Sequence, residues 1–232
     1  GGKQIHWLLI KEQDALARPA TAFSVVDEMP DSVVPLRGKA PKAADTPRAD
    51  APRVPGVPCA HLPATLSPQL ATLVDGVPGE ASEWIFEIKF DGYRMLTRVD
   101  QGTVHIFTRN GHDWTHRMPG IAEAVSGLGL RSGWLDGEVV VLDHKGLPDF
   151  QALQNAFDTE RPSQGTRAAK IVYYLFDVPY LDGRDLREEP VELRRRVVKL
   201  VLDSGASPLL RYSEAFDLPP QDLMGSAGRM GL

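Results

Sequence analysis

Between residues 91 and 183, five dipeptides ending in glycine interrupt short runs of aliphatic and aromatic residues: Asp91-Gly92, Gln101-Gly102, Asn110-Gly111, Lys145-Gly146 and Asp182-Gly183. Such pairs supply the positive φ that tight turns between antiparallel strands require. The runs they bound, 84–90, 94–99, 103–108, 134–142 and 171–178, are rich in Val, Ile, Tyr, Phe and Trp and read as strands. Helices are expected at 120–128, 149–157 and 190–202. In the last, Leu193, Val197, Leu200 and Val201 recur at helical spacing, and Pro190 sits where a first-turn proline is tolerated. The alternation predicts an α+β domain whose functional site lies on an antiparallel sheet.

Order does not extend evenly along the chain. From Pro19 to Pro63 the sequence carries nine of its 19 prolines, with Ala, Asp, Arg and Lys between them. That composition cannot bury enough surface to offset ordering entropy, and it reads as a disordered linker over 19–61. The 232 residues are 42% hydrophobic, as in a soluble globular protein. The single cysteine, Cys59, cannot form an internal disulfide, and neither a signal peptide nor an apolar run of membrane-spanning length is present. These features point to a cytoplasmic protein with no membrane partner. The net charge of −5 excludes a surface that is basic throughout, so nucleic-acid contacts would need local Lys and Arg clusters.

The stretch Glu87-Ile88-Lys89-Phe90-Asp91-Gly92-Tyr93-Arg94 concentrates the chemistry. On a strand, Trp84, Phe86, Ile88 and Phe90 share one face, and Glu87, Lys89 and Asp91 share the other. Two readings fit: a solvated face with weak charge pairing, or a lysine nucleophile held on a rigid strand among charges that tune it. The same alternation puts Asp136 and Glu138 on one strand face, with Leu135, Val139 and Val141 on the other. The histidines at 61, 105, 112, 116 and 144 show no metal-binding spacing with cysteine. Arg194-Arg195-Arg196 reads as the solvated side of its helix, or as a contact to a nucleic-acid backbone.

Lys-x-Asp-Gly-x-Arg is followed in order by Thr108-Arg109-Asn110-Gly111, Leu135-Asp136-Gly137-Glu138 and Tyr173-Tyr174-Leu175-Phe176-Asp177. In this order and separation, from about Leu62 onward, the chain resembles the covalent nucleotidyltransferases, most closely the ATP-dependent DNA ligases. The resemblance implies an ATP-grasp-like adenylation domain over 62–232. It implies that Lys89 attacks the α-phosphate of ATP as a neutral amine to form a lysyl-AMP phosphoramidate. It assigns Arg94 and Arg109 to ribose and phosphate oxygens, which a planar guanidinium holds by several hydrogen bonds. It assigns Glu138 to the ribose and to a metal, Phe176 to stacking on adenine, Glu87 to adenosine, and Asp136 to fixing a turn at Gly137. Asp91 would orient a hydrated Mg²⁺ (or Mn²⁺), a hard ion that takes carboxylate and water oxygens.

Trp7-Leu8-Leu9-Ile10-Lys11, with Asp14 and Ala15, resembles the close of the 3′-phosphoesterase domain that precedes the ligase domain in bacterial ligase D proteins. Tyr180-Leu181-Asp182-Gly183-Arg184-Asp185-Leu186, then Pro190 and Arg194-Arg195, also resembles that family. Residues 1–18 would then be a phosphoesterase tail. The partners implied are nicked or broken double-stranded DNA in non-homologous end joining and the bacterial Ku end-binding protein, at the nucleoid. The family's further motifs, a Glu-Gly segment, a strand with paired lysines and an OB-fold domain, do not follow Leu232, so a fragment of a longer ligase is expected. The class-level alternatives are a non-catalytic nucleotide- or DNA-binding remnant and, among enzymes, RNA ligases and mRNA-capping guanylyltransferases. The ligase D-like flanks disfavour these two enzymes.

Overall fold

A computed structural model describes residues 57, 59–71, 84–144, 146–157, 170–205 and 207–216. The expected phosphoesterase tail and nearly all of the proline-rich linker lie outside these residues. The strands are β1 (Phe86–Glu87), β2 (Tyr93–Asp100), β3 (Thr103–Thr108), β4 (Ser132–Leu142), β5 (Lys170–Leu181), β6 (Arg184–Asp185), β7 (Leu210–Tyr212) and β8 (Ala215–Phe216). The α-helices are α1 (Pro119–Ser126), α2 (Phe150–Phe157) and α3 (Val191–Asp203). Six strands form one sheet in the order β3-β2-β4-β5-β6, with β7 also on β5, while β1 and β8 form a separate two-stranded ribbon. The pairings are antiparallel except β5 with β7, which is parallel.

The period of two along the strands separates a helix-covered face from an open one. Tyr93, Met95 and Val99 of β2, Leu135, Val139 and Val141 of β4, and Tyr173, Leu175 and Val178 of β5 form the main core. Ile121 and Val125 of α1, Leu153 of α2 and Val197, Val198 and Val201 of α3 pack in the same core. In α3 the buried residues are Arg194, Arg195, Val197, Val198 and Val201, whereas Leu200, expected on the apolar stripe, is 54% exposed. On the opposite face two smaller apolar clusters stand apart. One gathers Leu96, Trp134 and Tyr180 under residues 60–66, and the other gathers Val140, Leu142 and Val172 under Phe90 and Tyr174. Between them on β4 lie Asp136 and Glu138.

Four of the five expected turn glycines do have positive φ: Gly102, Gly111, Gly146 and Gly183, at 78°, 87°, 82° and 79°. Gly92 is the exception, because β1 and β2 do not pair with each other and Asp91-Gly92 is no hairpin turn. The chain here crosses from the ribbon onto the large sheet. A Cβ on Gly92 would lie 2.3 Å from the carbonyl oxygen of Val139, so only glycine lets the crossing lie this close to β4. The strand expected at 84–90 is likewise shorter, a ladder at Phe86 and Glu87 with a single bridge at Ile88, and Trp84, at the start of its apolar face, is 47% exposed. Gly137 is also not a turn. It sits inside β4, where a Cβ would lie 2.2 Å from the carbonyl oxygen of Tyr174, and the Asp136 expected to fix a turn is mid-strand.

Candidate active site

The candidate site is built on three neighbouring strands. In the β2–β4 register Arg94 stands opposite Glu138, and in the β4–β5 register Glu138 stands opposite Tyr174. Beyond that point β5 bulges: Gly137 faces Leu175 and Asp136 faces Asp177, which leaves Phe176 as the extra residue. Bulges re-aim a side chain at a functional face, and here the ring of Phe176 lies beneath the Arg94 guanidinium, 4.4 Å from its centroid. A second register shift, between Trp134 and Asp136, accommodates Pro179, which has no N–H to give to a ladder.

Arg94 is held as a planar fork. Its Nε donates to Asp136 Oδ1 at 2.6 Å and its Nη2 to Asp136 Oδ2 at 2.8 Å. Asp136 is 3% exposed; burial pushes its carboxyl above the usual range, and the Arg94 guanidinium opposes that. The neighbouring carboxyl of Glu138 is pushed up to about 7, mainly by burial. The positive charges of Arg94 and Lys89 pull it down, while Asp136 and Asp91 push it further up. These mutual fields place Lys89, Asp91, Arg94, Asp136 and Glu138 in one electrostatic cluster. Lys89 and Asp91 are exposed and lie on the crossing segment. That segment is fixed by Gly92 against β4 and by Phe90, whose ring stacks on Tyr174 at 4.1 Å between centroids. Lys89 is therefore presented from a crossing laid over the sheet, not from within a strand.

Two buried arginines on α3 complete the surroundings, and sequence reasoning misplaced both. Arg194 forms an ion pair with Asp177 at 2.9 Å, and Arg195 pairs with Glu87. They are 9% and 3% exposed, so of the three successive arginines only Arg196 is solvated. The available signal was Arg194 at the spacing of Val197, Val198 and Val201. A cation in an apolar stripe calls for a buried counter-charge. Residues 59–71 were also missed. They run along the open face, where the Pro63 carbonyl accepts from Trp134 Nε1 at 3.0 Å and Arg98 Nε at 3.3 Å. With Asp136, Asp177, Arg187 and Arg194, Leu66, Ser67 and Gln69 of this segment line a small cavity beside the cluster. Arg109 lies apart: it is exposed in the turn after the edge strand β3, one residue past the Thr108–Met95 pair and so level with Arg94.

Residues 68–217 match the family described as "ATP dependent DNA ligase domain". The chain belongs to that family. The whole chain, including the residues outside that domain, is similar at 44% identity to the multifunctional non-homologous end joining protein LigD of Pseudomonas aeruginosa, and it spans 27% of that protein. Over 139 residues, 60% of the chain, it is 35% identical to LigD of Mycobacterium tuberculosis H37Rv and covers 17% of it. Among solved structures it resembles a mycobacterial DNA ligase D complexed with ATP and MES, with a TM-score of 0.53 and 30% identity, covering 64% of this chain and 45% of that one. The ligase domain of M. tuberculosis LigD matches with the same TM-score and coverage at 28% identity. The antiparallel α+β architecture of the ligase domain is thus that of the ligase D adenylation domain.

As to a metal, no group of three or more His, Cys, Asp or Glu capable of holding an ion occurs among the described residues of the domain. Asp91 and Glu138 are two carboxylates in one field. That donor set fits Mg²⁺, which takes one or two carboxylates and completes its shell with water and substrate phosphates. No helix among the described residues is long and apolar enough to cross a membrane.

Proposed function

We propose that this domain carries out the ATP-dependent step of DNA ligation, with Lys89 as the nucleophile. The observation that carries the reading is the crossing segment. It presents a lysine over a sheet face on which Arg94, Asp136, Glu138 and Phe176 converge, in a chain of the DNA ligase domain family. The neutral Nζ of Lys89 attacks the α-phosphorus of ATP. A P–N bond forms, the bond to the bridging oxygen breaks, pyrophosphate leaves and the amine's proton passes to solvent. An oxygen of a DNA 5′-phosphate then takes the AMP and restores the amine, and a 3′-hydroxyl displaces AMP to close the strand.

The remaining residues bind and orient. Glu138 receives the ribose hydroxyls, and a carboxyl titrating at about 7 can both donate and accept there. Phe176 stacks under the base, sharing its π surface with Arg94, while Glu87 contacts the adenosine. Arg94 and Arg109 hold ribose and phosphate oxygens. Asp91 and Glu138 would hold the divalent cation, which when bound neutralises phosphate charge. Broken or nicked duplex DNA in non-homologous end joining is the substrate, and Ku is the partner that would bring ends to the protein. Residues 1–18 as a phosphoesterase tail and 19–61 as a linker complete the reading, supported by similarity to LigD that runs across them, with the linker's end docked on the domain through Val57, Cys59 and Ala60.

Incubation with α-labelled ATP and Mg²⁺ should label the protein covalently, and Lys89→Ala should abolish the label. A Lys89→Ala variant that labels as well as the parent would remove Lys89 from this role.

A further inference from the structure

The lysine-bearing segment begins on the β1–β8 ribbon, which is a sheet of its own. A buried side chain of α3 ties that ribbon to the rest of the domain, beside the looser, exposed pair of Lys199 with Glu214 at 3.9 Å. Arg195, on α3, is 3% exposed; its Nη1 pairs with Glu87 Oε1, two residues before Lys89. Its Nη2 donates to the Ser213 carbonyl at 2.5 Å, in the short connection between β7 on the large sheet and β8 on the ribbon. Its guanidinium also lies 5.0 Å from the centroid of the Tyr212 ring. One planar group therefore joins helix, large sheet and both sides of the ribbon. Lysine could not span Glu87 and Ser213 with the same fixed fork.

We infer that Arg195 is a positioning residue for the nucleophile: through Glu87 and Ser213 it fixes the ribbon, and so the height of Lys89 over the sheet. This rests on the reading of Lys89 given above. The other charged groups acting on Glu87 are Asp177 and Arg94, both on the large sheet. Arg195 is the partner that comes from the helix side.

The test separates the steps that use Lys89 from the one that does not. In the whole protein carrying this domain, lysyl-AMP formation from ATP is followed in single turnover, and sealing of a chemically pre-adenylylated nicked duplex is followed alongside it. Arg195→Met is expected to slow lysyl-AMP formation by on the order of 100-fold, the effect of a reacting group displaced by about 1 Å, while pre-adenylylated nicks are sealed near the parent rate. Arg195→Lys keeps a charge against Glu87 and loses the Ser213 arm. It should fall between the two, and it carries the test if the methionine variant does not fold. Equal losses in both assays would make Arg195 a purely structural residue, and no loss in either would remove it altogether; both outcomes overturn the inference. A parent protein that forms no lysyl-AMP would instead overturn the assignment of Lys89.

Discussion

Replacing Glu138 with glutamine should stabilise the domain at alkaline pH while weakening its function. The carboxyl of Glu138 titrates at about 7 in the folded domain against an ordinary glutamate value of 4.5, chiefly because it is buried. Folding therefore favours its protonated form. Below pH 4.5 both folded and unfolded states hold the proton, and Glu138 contributes no penalty. As pH rises from 4.5 to about 7 the unfolded chain loses the proton first, so stability falls; above 7 the penalty is complete. At 1.36 kcal/mol per pH unit this interval corresponds to about 3.5 kcal/mol as an upper limit. Glutamine has the same shape and no ionisation to suppress. Urea unfolding of Glu138→Gln and parent at pH 8 should show a gain of about 1.5–3 kcal/mol, the lower figure allowing for hydration of the outer edge of the side chain, and the gain should vanish near pH 4.5. Lysyl-AMP formation should fall in the same variant. A gain independent of pH, or a loss of stability at pH 8, would refute the claim that burial governs this carboxyl.

Arg94→Met should destabilise the domain by about 3–5 kcal/mol in urea unfolding, because it strands a buried Asp136 carboxylate, and adding Asp136→Leu should recover most of the loss. Gly137→Ala should cost more than Gly111→Ala in thermal unfolding. The first puts a methyl 2.2 Å from the Tyr174 carbonyl between paired strands, whereas the second meets open space and costs only the roughly 1–2 kcal/mol of a left-handed residue. Equal melting temperatures for the two would discount the close approach of β4 to β5.

The strands and helices were legible because their signals are local. Period-two runs, hairpin glycines and the valine stripe of α3 each state their own structure, and Gln101-Gly102 and Asp182-Gly183 close hairpins as expected. Asp91-Gly92 and Asp136-Gly137 read the same way and are something else. A glycine demanded by positive φ and a glycine demanded by a neighbouring backbone look identical in sequence, since the second requirement comes from Val139 or Tyr174, tens of residues away. The grouping of Lys89, Asp91, Arg94, Asp136 and Glu138 followed from family resemblance and strand alternation. The partners of its charges did not. Pairing Glu87 with Arg195 and Asp177 with Arg194 depends on how α3 lies against the sheet; the spacing of Arg194 with the valines signals its burial, but nothing local sets Arg195 apart from Arg196.

The charge balance of the face bears on why ATP should enter with a metal. Lys89, Arg94, Arg194 and Arg195 stand against Glu87, Asp91, Asp136, Glu138 and Asp177. With Glu138 ionised the carboxylates outnumber the cations by one, and with Glu138 protonated the two are equal. Three of these four cations are already paired, Arg94 with Asp136, Arg194 with Asp177 and Arg195 with Glu87, which leaves Lys89, the group proposed to react as a neutral amine. On the proposed reading a bare triphosphate would meet more carboxylates than uncommitted cations among these residues, with Arg109, exposed at the end of β3, as the further cation level with Arg94. Carrying a divalent cation, it would bring its own compensation, and Asp91 and Glu138 are the carboxylates proposed to hold that cation. On the proposed reading the face would recognise a metal–nucleotide complex rather than attract a free anion. That favours holding the carboxyl of Glu138 at a value where it can release its proton as the cation arrives.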